Sequence, residues 1–313
     1  MKLAQTLLST LQVIASPQGL WGCVACVGVG ISLWTAVLAR DVSADSPPRP
    51  NSVPAGAEGR PRKGLGGPLS LAGSGSNVML LREVVAQCQR AGQQLSVVVE
   101  PGIGSSSGLR ALRDGVIDAA LVSRALASSE LAPGEVYAPY ARSPVAFASS
   151  SKPLAQLDTA DLLAALAVDR PQWPDGRPLH WALREPGDSG HRILAREFKG
   201  FADVEGRARA QQAAPVYFHD RTLHAALLVS DESVGIVDAS AVRAEGLPLH
   251  FFYRGTTEPT AEHVANGTWS LVKPHVLVYP ATEAKKLSGL LSCLRSAAGQ
   301  ETLRRFGAAP TLQ

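Results

Sequence analysis

Residues 69–124 decide the fold, and they read LSLAGSGSNVMLLREVVAQCQRAGQQLSVVVEPGIGSSSGLRALRDGVIDAALVSR. Three short apolar runs, LSLAG, LSVVV and IDAALV, alternate here with two segments of helical periodicity, VMLLREVVAQCQRAG and SGLRALRDG. Short apolar runs bounded by Gly, Ser and Pro are typical of buried strands, and strands that alternate with helices of this length build parallel sheets. The stretch therefore predicts a βαβαβ unit.

The chain after residue 145 repeats this alternation. The strand-like segments VAFASS, LHWALREPG, PVYFH and VGIVD are interleaved with the helical segments DTADLLAALA, HRILAREF, TLHAALLVS and ASAVRAEG. LVKPHVLVYP predicts one more strand, and helices are expected around residues 285–296 and 301–306. The fold class is therefore α/β, with a second lobe of the same kind as the first.

Length and composition agree with two lobes. The chain has 313 residues, of which 45% are apolar and 18% charged, which is enough to bury a large core. Lobe 1 is predicted from residues 69–145 and 273–313, and lobe 2 from residues 146–272. The two lobes would close by a hinge near Val145 and Val272, where the chain crosses between them.

Charge and the metal-ligating residue types exclude several functions. Thirty basic residues against 27 acidic ones give a net charge of only +3, so no broad basic surface for nucleic acid is expected. Cys23 and Cys26 lie in an apolar run, while Cys88 and Cys293 stand alone, far apart in the sequence, which disfavours a disulfide framework, zinc ligation or a redox pair. The histidines lack metal spacing, so no metal site is expected.

The N-terminal region predicts attachment to a membrane. Residues 20–39, LWGCVACVGVGISLWTAVLA, form an uncharged run of about 20 residues, which just spans a bilayer core. Residues 1–40 are read as a signal or membrane anchor, with an uncleaved anchor favoured because the region before the run is long for a signal peptide. Residues 41–68 are rich in Pro and Gly and predict an extended linker. The basic residues that follow the run oppose export by the positive-inside tendency.

Three predicted strand-to-helix junctions are built from glycine and serine: residues 73–77, 104–108 and 187–191. Glycine lets a ligand approach the backbone, hydroxyls donate hydrogen bonds, and a helix N-terminus favours an anion. One such loop is usually structural, because Ser and Gly are common N-caps. Three of them at the carboxyl ends of strands predict an oxyanion site. The chain has no nucleotide-binding glycine fingerprint, so nucleotide chemistry is disfavoured.

These loops belong to a longer series of motifs that resembles one known family. The series is GSGSN, EPGIGSSSGLRALRDGVIDAALVSR, REPGDSGHR, VGIVDASAVRAEGLPL, HVANGTWSLVKPHVLVYP and AAGQETLRRFGAAP. Over residues 69–310 it resembles the phosphate-binding proteins of bacterial ABC importers, which have the type II periplasmic binding-protein fold. The resemblance implies a ligand cleft between two lobes, phosphate as ligand, no enzymatic activity and no cofactor. It also implies an ABC permease as partner and a periplasmic location, and with the apolar run at residues 20–39 it predicts attachment to the inner membrane.

The resemblance further implies a set of ligand-binding residues. They are Ser74, Gly75, Ser76, Asn77, Ser105, Ser106, Ser107, Ser123, Arg124, Arg184, Asp188, Ser189, Gly190 and His191. Arg124 stands where the best-known members have an aspartate that accepts the proton of hydrogen phosphate. Asp188 or Glu185 could supply that acceptor here, and without an acceptor the site would suit sulfate equally well. His191 replaces the threonine that many members have in the third loop.

Two other functions are compatible with parts of the sequence. Residues 187–190, GDSG, match the tetrapeptide around the nucleophile of trypsin-like proteases, and Ser189 with nearby His191 suggests a serine hydrolase. The α/β pattern argues against that fold. A membrane-tethered module that senses anions or acts as a scaffold, without transport, would use the linker and anchor equally well. Arg124 and Arg184 could also pair with surface carboxylates rather than with a ligand.

Overall fold

The computed structural model describes residues 67–151, 157–210 and 214–312. The predicted signal or membrane anchor, residues 1–40, and nearly all of the predicted linker, residues 41–68, lie outside this part of the chain. Among the described residues, no helix has both the length and the apolar character needed to cross a bilayer.

The first βαβαβ unit is present as the sequence predicts. It consists of β1 (Leu69–Gly73), α1 (Gly75–Arg90), β2 (Val97–Val99), α2 (Ser105–Arg113) and β3 (Ala119–Val122). β1 lies between β2 and β3 and is parallel to both. Since the three strands run in the same direction, the loops that follow β1 and β2 emerge at one edge of the sheet.

The rest of the chain keeps the predicted alternation, with one strand much longer than predicted and with several short elements that the sequence did not predict. The elements are β4 (Glu135–Ser149), α3 (Thr159–Leu166), β5 (His180–Arg184), α4 (Ser189–Glu197), α5 (Phe201–Ala210), β6 (Val216–Tyr217), α6 (Asp220–Val229), β7 (Ser233–Asp238), α7 (Ala239–Ala244), β8 (His250–Phe251), α8 (Ala261–Ala265), β9 (Val272–Pro280), α9 (Ala284–Arg295), α10 (Ala297–Arg305) and β10 (Ala309–Pro310). The strand predicted at VAFASS is the end of the much longer strand β4. Its first part, EVYAPYARSP, contains two prolines and little apolar periodicity, and pairing with β9 makes it a strand.

Strand β4 joins the two halves of the sheet. In the described residues the strand order is β2-β1-β3-β9-β4-β7-β5-β6, with β8 and β10 also paired to β4. β4 is antiparallel to β9 as far as the pair Pro144 and Val272, and antiparallel to β7 from the pair Val145 and Asp238 onward. The pairing partner therefore changes at the predicted crossing point, while the lobe boundaries themselves stay a prediction.

Two large apolar cores lie on either side of this crossing point. In the first, α1 packs residues such as Leu81 and Val84 against Leu71 of β1. Their three- to four-residue spacing puts them on one face of the helix. In the second, Trp269 and Phe147 are completely buried and pack with the inner residues of β5 and α4. Burial of each such side chain contributes about 1.5–3 kcal/mol, so each half has its own source of stability.

Cys88 and Cys293 form a disulfide, with their Cα atoms 5.8 Å apart. This corrects the expectation that the two cysteines stand alone. Cys88 lies on α1 and Cys293 on α9, and both are fully buried in the first core. Their separation of 205 positions hides the pairing from the sequence, because only the packing of α1 beside α9 brings the two thiols together.

Candidate functional site

A cleft of about 1050 Å³ is lined by all three glycine- and serine-rich loops. The predicted residues that line it are Ser74, Gly75, Ser76, Ser105, Ser106, Ser107, Arg124, Arg184, Asp188 and Ser189. The predicted residues outside its lining are Asn77, Ser123, Gly190 and His191. The structure thus brings the three loops to one cavity, as the sequence analysis requires. That these residues hold a ligand stays a prediction.

The first loop turns from β1 into α1 and is packed too closely for larger residues. A side chain at Gly73 would overlap the carbonyl oxygen of Leu121 on the neighbouring strand, and one at Gly75 would overlap Oδ2 of Asp220. Ser74 and Ser76 are buried, and their hydroxyl oxygens are 3.3 Å apart. Because α1 begins at Gly75, the loop presents the positive end of a 16-residue helix to the cleft.

The second loop leads into α2 and lies against the first. A side chain at Gly102 would overlap the Cα atom of Gly75, so the two loops touch. The Ser105 hydroxyl accepts a hydrogen bond from the backbone N–H of Ser123 at 3.2 Å. In the described part of the chain the hydroxyls of Ser106 and Ser107 have no hydrogen-bond partner, and both side chains are exposed to the cleft. They are free donors at a helix N-terminus.

Asn77 and Ser123 lie behind the two loops and support them. The Asn77 amide donates to the carbonyl oxygen of Val122 at 3.0 Å and accepts from the Tyr140 hydroxyl. The Ser76 hydroxyl donates to the Ser123 hydroxyl at 3.5 Å. Both Asn77 and Ser123 are buried, so these contacts hold the first loop in position against β3.

The third loop is organised by Asp188. Its Oδ1 atom accepts hydrogen bonds from the backbone N–H groups of Gly190 at 2.8 Å and His191 at 3.2 Å, which caps α4. The His191 ring points away from the cleft and stacks on Trp181, with the ring centroids 5.8 Å apart. Its Nδ1 atom lies 2.8 Å from Glu205, and its Nε2 atom accepts from the backbone N–H of Arg184. Both ring nitrogens are therefore occupied, which leaves none to act as a base toward Ser189.

Arg184 is buried and surrounded by carboxylates. Its Nε and Nη2 atoms donate to Glu185 at 2.9 and 3.1 Å, and Nη1 donates to Asp220 at 2.7 Å. Asp188 is 3.9 Å away, and the Phe218 carbonyl oxygen accepts a further bond. Burial alone would lower the pKa of Arg184, but the charge of Asp220 and the bond to Glu185 outweigh it and raise the pKa. The guanidinium thus organises three acidic side chains.

Asp220 is a cleft residue that sequence reasoning missed as part of the site. It begins α6, and an aspartate at a helix start reads as an ordinary first-turn residue. Its Oδ1 atom accepts from Arg184, whereas Oδ2 has no hydrogen-bond partner among the described residues and lies against Gly75. Burial by itself would raise the pKa of Asp220, but the charges of Arg184 and Lys273 prevail and lower it. The cleft therefore contains an ionised carboxylate with a free acceptor oxygen.

Lys273 is the second cleft residue that the sequence did not indicate. It lies near the start of β9, is only 6% exposed, and its Nζ atom is 3.3 Å from Oδ2 of Asp238. The same Oδ2 is 2.8 Å from Nε2 of His275, and Oδ1 accepts from the Ser143 hydroxyl. A buried carboxylate thus fixes an ammonium group that keeps further donors for a ligand. Only the pairing of β4 with β7 and β9 assembles this group.

Arg124 lines the cleft but is already paired. Its Nη1 and Nη2 atoms bond both oxygens of Glu130, at 2.9 and 2.6 Å. The Arg124 hydrogen bond, with one from the backbone N–H of Ala127, lowers the pKa of Glu130 to about 2. The pairing with a carboxylate considered for this arginine is therefore present. In the described residues no group of three or more His, Cys, Asp and Glu side chains has the arrangement of a metal site.

An α/β fold whose glycine- and serine-rich loops line a polar cleft is typical of ligand-binding proteins. The chain matches the family model of the PBP superfamily domain over residues 51–291, and it belongs to that superfamily. Membership confirms the predicted class of binding protein rather than enzyme. No curated protein sequence matches the chain.

Solved structures show the same fold at low sequence identity. An ABC-type phosphate transport receptor from Vibrio cholerae has 17% identity and a TM-score of 0.51, over 77% of this chain and 99% of that one. A putative phosphate ABC transporter substrate-binding protein with bound phosphate, from Clostridium perfringens, has 18% identity and a TM-score of 0.59, over 78% and 99%. A reduced form of OxyR from N. meningitidis has 13% identity and a TM-score of 0.51, over 78% and 99%. The predicted binding-protein fold is confirmed.

Proposed function

We propose that this chain is an exported binding protein for a tetrahedral oxyanion, inorganic phosphate foremost, and that it delivers the ion to an ABC permease. One observation carries the proposal: Asp220, whose Oδ2 atom has no hydrogen-bond partner among the described residues, lines the same cleft as Ser106 and Ser107, whose hydroxyls are also unpartnered there. Hydrogen phosphate needs hydrogen-bond donors for its oxygens and one acceptor for its proton, and this cleft offers donors and an acceptor. The phosphate proteins with the same fold support the choice of ligand.

The donors would come from the two loops of the first βαβαβ unit. The N-termini of α1 and α2 lie at the cleft, and the hydroxyls of Ser106 and Ser107 are in the first turn of α2. Lys273 adds a positive charge, while Arg184 holds the acidic residues in place. Backbone and hydroxyl dipoles stabilise an anion more strongly once water is excluded. We infer that closure of the predicted lobes about Val145 and Val272 excludes it.

Asp220 would discriminate phosphate from sulfate. At neutral pH, hydrogen phosphate carries a proton that an ionised carboxylate can accept, whereas sulfate has none and would be repelled. Of the acceptors expected from the sequence, Asp188 caps α4 through Oδ1 and holds Oδ2 in an ion pair with Nη2 of Arg184 at 3.9 Å, and Glu185 gives both oxygens to Arg184. Asp220 keeps one oxygen unengaged, so we assign the acceptor role to it.

Export and attachment are supported by chemistry outside the cleft. The Cys88–Cys293 disulfide is stable in an oxidising compartment such as the periplasm and rare in a reducing cytosol. The apolar run at residues 20–39 would hold the chain at the inner membrane, with residues 41–68 as the linker. This supports export in spite of the basic residues after the run.

The test is calorimetry of the full-length chain with phosphate and with sulfate. We expect phosphate to bind more tightly than sulfate. Ser106→Ala should lower the affinity for phosphate about tenfold, which is the effect of losing one hydrogen bond to a charged ligand. Asp220→Asn should reduce the preference for phosphate, because it lowers the affinity for phosphate and raises the affinity for sulfate. Asp231→Asn is the matched control, because its side chain is 66% exposed and paired with Arg177 outside the cleft. Failure of all tetrahedral anions to bind would refute the proposal.

A further inference from the structure

The cleft is much larger than an inorganic ion requires. A phosphate ion has five non-hydrogen atoms and fills the space of about two or three water molecules, or roughly 60–90 Å³. The cleft measures about 1050 Å³, near the upper end of the range of about 300–1,000 Å³ that organic ligands occupy. Its volume leaves room for a substituent beside the anion.

Two apolar side chains in this cleft are exposed. Ile103 on the second loop is 43% exposed, and Phe218, which precedes α6, is 66% exposed. Large apolar side chains are ordinarily buried, and apolar lining is common where an organic ligand binds. Val78, Met79 and Leu247 also line the cleft but are buried or half-buried, so Ile103 and Phe218 are the large aliphatic and aromatic side chains that the described lining exposes.

The backbone holds both side chains in place. The N–H groups of Ile103 and Gly104 both donate to the carbonyl oxygen of Gly73, at 2.8 and 2.9 Å. The carbonyl oxygen of Phe218 accepts from Nη2 of Arg184 at 3.3 Å. Each side chain is therefore presented by a segment that is anchored to the proposed anion site.

The two residues are also next to residues of that anion site. Gly102, next to Ile103, touches Gly75 of the first loop, and Gly75 in turn lies against Asp220. Asp220 is two residues after Phe218. A ligand whose anionic group contacts Asp220 and the Ser106 and Ser107 hydroxyls would thus have Ile103 and Phe218 close to it.

We propose that the cleft takes a phosphate monoester with an apolar substituent, the substituent lying between Ile103 and Phe218. This proposal rests on the proposed function and specifies its ligand class. A monoester retains one proton below its second pKa, which is about 6, so Asp220 can accept from it as from hydrogen phosphate. A buried aromatic or aliphatic group gains free energy in proportion to the apolar area it removes from water.

The experiment compares inorganic phosphate with phenyl phosphate by calorimetry of the full-length chain at pH 5.5. We expect phenyl phosphate to bind at least tenfold more tightly than phosphate. Phe218→Ala should remove most of this advantage and change the affinity for phosphate less than twofold. Val229→Ala is the control, because Val229 is 88% exposed and lies outside the cleft. Phe218 is itself exposed, so its replacement leaves the core intact, and Ile103→Ala provides a second, independent variant.

The alternative is that Ile103 and Phe218 only close over an inorganic ion. Phe218→Ala would then lower the affinities for phosphate and for phenyl phosphate by the same factor, and this result would overturn the monoester proposal. Equal or weaker binding of phenyl phosphate by the unaltered chain would overturn it as well, while phosphate binding would leave the proposed function standing. If neither compound bound, the proposed function itself would fail.

Discussion

Arg184 donates from Nη1 to Oδ1 of Asp220 across 2.7 Å, and this bond joins the end of β5 to the start of α6 within the cleft. Both side chains are well shielded from water, with exposed fractions of 7% and 18%. The same guanidinium bonds Glu185 through two nitrogens. One arginine therefore fixes the carboxylates of Asp220 and Glu185 in position, and its charge contributes to the lowered pKa of Asp220.

Replacing Arg184 should destabilise the fold as well as the site. Arg184→Ala leaves Asp220 and Glu185 without their counter-charge, so the free energy of unfolding should fall by about 3–5 kcal/mol, the usual effect of breaking a buried ion pair. Urea denaturation followed by circular dichroism measures it. Arg196→Ala removes a guanidinium that is 67% exposed, and should change stability by less than about 0.5 kcal/mol. Equal effects of the two variants would contradict this account of Arg184.

Asp238 and Lys273 should show strong energetic coupling. Either Asp238→Asn or Lys273→Met leaves a charge buried without its partner, which costs about 3–5 kcal/mol. The double variant buries neither charge, so its loss of stability should be clearly smaller than the sum of the two single losses. A double-mutant cycle from denaturant unfolding gives the coupling energy. Additive losses would show that the two groups do not depend on each other.

Stability should fall in acid through Asp238. Burial by itself would raise the pKa of this carboxyl, but the charges of Lys273 and His275 and the hydrogen bonds from His275 and Ser143 lower it far below the usual range. Its contribution is complete above the unfolded-state pKa of about 3.9 and is lost as the pH falls from there toward the folded-state pKa.

The measurement is the melting temperature between pH 2 and pH 6 for the unaltered chain and for Asp238→Asn. The variant should have a lower melting temperature than the unaltered chain at pH 6. Below about pH 4 its melting temperature should fall less steeply with pH, since it has no proton to take up at this position. Asp231→Asn is the control, because Asp231 is exposed and should leave the slope unchanged. If the melting temperatures of Asp238→Asn and of the unaltered chain fell equally with pH below about pH 4, the role of Asp238 would be refuted.

The disulfide should contribute substantially to stability. Cys88 and Cys293 are 205 positions apart, and closing so long a loop stabilises the folded state by about 5 kcal/mol in the chain-entropy model. Denaturant unfolding with and without dithiothreitol should show a loss of this order. A variant with Cys88→Ser and Cys293→Ser should be less stable and insensitive to dithiothreitol. If dithiothreitol left the free energy of unfolding of the unaltered chain unchanged, this contribution of the disulfide would be ruled out.

The sequence by itself determined the elements and the position of the loops. The alternation of short apolar runs with helical periodicity predicts β1 to β3 and most of the later elements, because local spacing decides which faces a segment can bury. Residues such as Ser106 and Asp188 were found because Gly- and Ser-rich turns after parallel strands meet at one edge of the sheet.

Only the tertiary structure decided which distant segments meet. The change of partner along β4, the Cys88–Cys293 disulfide and the entry of Asp220 and Lys273 into the cleft all depend on contacts between residues far apart in the chain. Local periodicity carries no information on such pairs, because it records the face a residue presents and not the residue that packs against that face. An aspartate that begins a helix and a lysine that begins a strand therefore look ordinary until packing and buried charge make them neighbours.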